Sequence, residues 1–174
     1  KLDNIVDITP TTYNLVGKTQ DILLQLLKIA LFDCWIANED RTCNNANLLY
    51  NITKEQLISI DYGGVFNTST FEYPLSQLTM TDTILYADLF HHLVDGKDIG
   101  AVVLLGENLR KYYDACIRNS IKVIPLILNI IPKEWNVNKM IVESKLNQLV
   151  DSIWVESVWL NFLDCLKDNL EDKR

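Results

Sequence analysis

The chain alternates long apolar stretches with short, dense polar ones, and this alternation sets the elements it predicts. Residues 19–36 carry apolar side chains at eleven positions from Ile22 to Ile36, Cys34 aside, with no Gly or Pro. They fall on several sides of a 3.6-residue period, which predicts a helix buried over most of its circumference, with Thr19 as N-cap. The polar run "ANEDRTCNNANLLYN" over residues 37–51 follows at once. Strand-like runs at 47–50 and 56–60, joined by a turn over 51–55, predict a hairpin. Asp61-Tyr62-Gly63-Gly64 ends the second strand, the paired glycines permitting unusual backbone angles.

Residues 67–80, with Pro74, read as a loop. Beyond them the pattern turns helical: 81–94, 108–120, 122–130, and one or two helices over 138–170. In the last segment Leu146, Val150, Ile153, Trp154, Val158, Trp159, Phe162 and Leu166 form one stripe, read as core-facing rather than as a cofactor box. Residues 1–18, with Pro10 and three threonines, read as irregular. There is no internal repeat. The expected fold is a single domain over 1–174, mainly α with a small β-hairpin.

Composition narrows the functional classes. With 174 residues and 48% hydrophobic content the chain can pack a core. A net charge of −7 and a pI near 4.8 argue against a nucleic-acid footprint, which needs clustered Lys and Arg. No signal peptide is visible, and no apolar run nears the roughly 20 residues of a membrane span. The best candidate, 121–131, is interrupted by Lys122, Pro125 and Asn129. Cys34, Cys43, Cys116 and Cys165 include no C-x-x-C pair, so a zinc site is not expected. The chain reads as cytoplasmic, with free thiols. The glycosylation-like triplets at Asn51 and Asn67 carry no weight there.

Three places carry candidate chemistry. Val16-Gly17-Lys18-Thr19 resembles the end of a phosphate-binding loop, but Thr12 stands where the first glycine belongs and no strand precedes it, so it reads as a helix entrance. His91 and His92 are adjacent and would diverge on a helix, so they read as ordinary side chains. The polar run is richer. Phosphoryl transfer needs a carboxylate at the acceptor hydroxyl, and an asparagine and an aspartate to hold Mg²⁺. Kinase loops place the asparagine five positions after the first aspartate, then a D-x-G after a strand. Asp40 and Asn45 have that spacing, and Asp61-Tyr62-Gly63 follows the predicted hairpin. The same spacing at Asp114/Asn119 and Asp164/Asn169 lies inside helical patterns, and Asp98-Ile99-Gly100 lacks a loop and hairpin before it.

"FDCWIANEDRTCNNANLLY" with the later "SIDYGGVF" resembles the catalytic core of the HipA-like kinases, bacterial proteins related in fold to eukaryotic protein kinases and phosphatidylinositol kinases. The similarity is to the short branch that reads F-D-x-W-I-x-N-x-D-R, N-x-N-L-L and I-D-x-G-x-x-F, and "IPKEW" at 131–135 resembles a segment near its end. The block covers about residues 31–66. The resemblance implies a kinase-like C-lobe using ATP and Mg²⁺. Asp40 would be the catalytic aspartate, Asn45 and Asp61 the metal ligands, and Arg41 a nucleotide-site residue that, with Asn38, supports the loop. Asn47 would be structural. Gly63 and Gly64 would let the chain bend away from the metal.

The sequence departs from a complete kinase. No glycine-rich loop or sheet lysine precedes Asp40, and Gly17 is the one glycine before it. The expectation is therefore a C-lobe whose N-lobe comes from the rest of a longer chain or from another subunit, inactive on its own. Implied partners are ATP and a protein serine or threonine substrate, with neither nucleic acid nor membrane. The alternative is a non-catalytic, kinase-shaped interaction domain; a third reading has the polar run merely capping the long helix.

Overall fold

The computed structural model describes residues 4–69, 71 and 73–171, which are mostly helical with a small three-stranded antiparallel sheet. Thr19 caps helix α1 (Gln20–Ile36), its hydroxyl accepting from the Ile22 N–H at 3.2 Å. Strands β2 (Leu48–Asn51) and β3 (Gln56–Ser59) form the expected hairpin, with Leu49 opposite Ile58. The expected irregular start is corrected: β1 (Ile5–Asp7) pairs antiparallel with β2, Val6 opposite Tyr50. Three residues are too few to display a period of two, so partner pairing rather than local pattern makes this strand.

Other boundaries also move. Part of the expected loop is a short helix, α2 (Val65–Ser69). The stretch read as one helix over 81–94 is two 3-10 turns, Met80–Asp82 and Ile84–Tyr86, followed by α3 (Asp88–Val94). Local side-chain bonds compete with the helix there: Thr79 Oγ1 donates to Asp82 Oδ2 at 2.5 Å and Thr83 Oγ1 to the Met80 carbonyl at 2.9 Å. Helix α4 (Ile99–Glu107), hidden by two glycines and little periodicity, starts at Asp98, which accepts from the Ala101 N–H at 2.8 Å. The two helices expected across 108–130 are one, α5 (Arg110–Ile130), with Pro125 inside it. Helices α6 (Lys139–Leu149) and α7 (Ser152–Glu171) complete the chain.

α1 is the hub, packed against α7, α3, α4 and β3. The α7 stripe faces the core at Trp154, Val158, Trp159, Phe162 and Leu166; Ile153 does not, being 80% exposed. Gly106 lets α4 approach α7 closely, because a Cβ there would lie 2.4 Å from Leu166 Cδ2. Two tryptophans tie the end of α1 to the α6–α7 junction. Trp35 Nε1 donates to the Leu149 carbonyl at 2.7 Å, and Trp154 Nε1 to the Trp35 carbonyl at 3.0 Å. Both bonds are buried, where unmade ones cost most. The polar run therefore leaves a helix end that is fixed in place. Phe162→Ala should lower the unfolding free energy by about 3–5 kcal/mol in a urea titration, since its ring is fully buried.

Candidate functional site

The polar run is built around an ion pair inside the protein. Asp33, on the last turn of α1, is 2% exposed, and Arg41 is 0% exposed. Arg41 Nε donates to Asp33 Oδ2 at 2.8 Å, and Asn38 Nδ2 donates to Asp33 Oδ1 at 2.9 Å. Burial raises the Asp33 carboxyl by more than the Arg41 charge and the bonds from Asn38 and Arg41 lower it, leaving it at about 6. The guanidinium also donates to three carbonyls: Ala46 at 2.8 Å, Asn47, and Ile60 at 3.3 Å. It lies 5.1 Å from the Tyr62 ring centroid. One buried side chain therefore joins the helix end, the loop and the end of the hairpin.

Around this anchor the chain adopts left-handed conformations at non-glycine residues: Ala37 at φ 49°, Asn47 at 45° and Asp61 at 52°. Asn and Asp tolerate this region better than most residues. The expectation that Gly63 and Gly64 supply the unusual angles is thereby corrected, since Asp61 takes the turn. Gly64 serves proximity instead. A Cβ there would lie 2.7 Å from Asp40 Cβ, and the Gly64 carbonyl accepts from the Glu39 N–H at 3.1 Å.

Asp40 is held from two sides. Its Oδ1 accepts from Asn45 Nδ2 at 3.2 Å and its Oδ2 from Asn47 Nδ2 at 3.0 Å. Its N–H donates to Asn38 Oδ1 at 3.3 Å. A reciprocal backbone pair between Thr42 and Asn45, at 3.0 and 3.2 Å, closes the loop that carries Asn45. Asn47 thus touches the carboxylate as directly as Asn45 does. Its spacing from Asp40 matches no general motif, which is why it read as structural. Asp33 was also missed; an acid in the apolar last two turns of α1 was the available signal.

The segment after β3 brings Asp61 to the same end of the domain, with Gly64 against Asp40. Asp61 is exposed, and its Oδ1 accepts from the Gly63 N–H at 3.2 Å. A cleft of about 500 Å³ opens beside the loop, walled by Ile8, Tyr13, Asn45, Asn47, Leu48 and Ile60. Among the described residues no group of three or more His, Cys, Asp or Glu could hold a metal. The oxygens that fit a hard cation are the free carboxylate oxygen of Asp61 and the Asn45 amide oxygen, which no donor among the described residues occupies. The other early candidates lie apart. Gly17 follows a 3-10 turn, Tyr13–Leu15, rather than a strand, and Lys18 pairs with Asp95 at 2.8 Å. His92 faces Tyr13, with ring centroids 6.4 Å apart, whereas His91 faces Phe90 at 5.7 Å.

A family model described as HipA-like kinase matches residues 3–157. No curated protein and no solved structure matches the chain.

Asp33→Asn would leave the Arg41 charge buried without its counter-ion. It should destabilise the fold by about 3–5 kcal/mol in chemical denaturation.

Proposed function

The chain belongs to the HipA-like kinase family, and on that premise we propose that it is the C-lobe of an ATP-dependent kinase that moves the γ-phosphate to the hydroxyl of a protein serine or threonine. The observation that supports this reading is the Asp40 carboxylate, gripped on both oxygens by Asn45 and Asn47, two side chains that also line a cleft. A general base must be aimed before its acceptor arrives, and two amide donors aim it.

In this reading Asp40 orients the acceptor hydroxyl and draws off its proton. Asn45 and Asp61 hold Mg²⁺ through the amide and carboxylate oxygens left available in the loop. When bound, Mg²⁺ offsets charge on the transferring phosphoryl group. Arg41 acts at a distance from the reacting atoms, fixing the loop from the core, and Asn38 shares that task through Asp33 and the Asp40 N–H. Gly64 leaves room for Asp40. The glycine-rich loop and lysine that clamp the phosphates have no counterpart in this sequence, and this reading requires residues outside it to supply them. The setting in this reading is the bacterial cytoplasm. No helix among the described residues is long and apolar enough to cross a membrane.

The test is transfer of label from γ-labelled Mg-ATP by the complete coding product, beside the same protein carrying Asp40→Ala. Incorporation should fall by at least about 100-fold in the variant while its thermal unfolding stays cooperative. Equal incorporation by both would overturn the assignment of Asp40, and none by either folded protein would favour a kinase-shaped binding module.

A further inference from the structure

A second cavity, of about 500 Å³, lies between α3, the start of α4 and the end of α7. Its polar lining is unlike an ordinary surface dent. Asn169 is 1% exposed and lines the cavity. Its Nδ2 donates to the Cys165 carbonyl at 2.8 Å, which fixes the amide, yet its Oδ1 has no partner. Nε2 of His92, on the same cavity, is also buried without a partner. Two unmet polar atoms on one cavity are a cost of about 1–3 kcal/mol each unless something fills it.

The remaining lining indicates what fills it. Lys18, already paired with Asp95 at 2.8 Å, lines it together with Lys97 and Asp88, so two lysines and two aspartates share the lining and a strongly charged ligand of one sign finds no net attraction. Lys97 Nζ already donates to the Lys18 carbonyl at 2.7 Å, which holds the two lysines together on one side. Val94, Ile99, Val102 and Leu170 supply apolar wall. An acceptor that needs a donor, paired lysines, nearby carboxylates and an aliphatic wall together suit a small zwitterion with an apolar tail.

We propose that this cavity binds a free α-amino acid with an aliphatic side chain. The α-ammonium donates to Asn169 Oδ1 and lies in the field of Asp88. The α-carboxylate accepts from Lys97 and Lys18, and the side chain packs on Val102 and Leu170. Because ammonium and carboxylate share one carbon only in the free amino acid, a peptide terminus supplies half of the recognition. The site is independent of the phosphotransfer reading.

The experiment is an NMR titration of the ¹⁵N-labelled chain with L-leucine, leucinamide and 4-methylpentanoate in parallel. L-Leucine should shift the Asn169 side-chain amide and neighbouring backbone signals saturably. Each analogue should bind at least about 10-fold more weakly, having lost one charged hydrogen-bonding group. Asn169→Leu should abolish the shifts, and Lys97→Met, on the cavity rim, should weaken them if the first variant proves unfolded. No saturable shift, which would mean that water alone occupies the cavity, overturns the proposal. So does equal binding of the analogues, or binding unchanged in a folded variant.

Discussion

The buried pairing of Arg41 with Asp33 is the constraint on which the polar end of this domain depends. Taking both charges out of water is expensive, and their attraction does little more than repay it. What the pair supplies is position. A guanidinium has several donors in a rigid plane, and here they reach the end of α1, the carbonyls of Ala46 and Asn47, and the carbonyl of Ile60. Those acceptors belong to three parts of the site, so the helix, the loop and the hairpin cannot shift independently. Lysine, with one compact ammonium, could not make the same set.

The second constraint is proximity. The chain after β3 must pass directly over Asp40, and it does so at Gly64, where any side chain would collide with the Asp40 Cβ. The left-handed turn that permits this falls at Asp61, whose carboxylate then bonds to the Gly63 N–H. Turn, close approach and candidate metal ligand are thus packed into four residues. The tryptophan pair, Trp35 and Trp154, does the complementary work from below by locking the helix that feeds the loop.

Much of this was legible in the sequence where a strong local signal existed. The apolar density over 19–36 announced α1, and the alternation of polar run and hairpin placed Asp40, Asn45 and Asp61 near one end of the domain. The strand at Ile5–Asp7 was not legible, because its conformation comes from pairing with β2. Nor was the split of 81–94 into 3-10 turns, where threonine hydroxyls satisfy the backbone locally. Ile153 fell on the stripe by spacing, but its neighbour Trp154 takes the core-facing position on the first turn of α7 and leaves Ile153 exposed. Asn47 and Asp33 escaped notice because their roles are defined by what they touch across the fold, and spacing carries no trace of that.

The central claim is that loop and hairpin converge so that Asn45 and Asp61 share one cation beside Asp40. Paramagnetic broadening by Mn²⁺ in the ¹⁵N spectrum of the chain tests it most directly. The account predicts that signals of Asn45 and of Asp61 to Gly64 fade together at the same Mn²⁺ concentration, and that Asp61→Asn removes the effect at Asn45 as well, with the rest of the spectrum unchanged. Broadening at one of the two segments alone, or broadening at Asn45 that survives in the Asp61 variant, would contradict it.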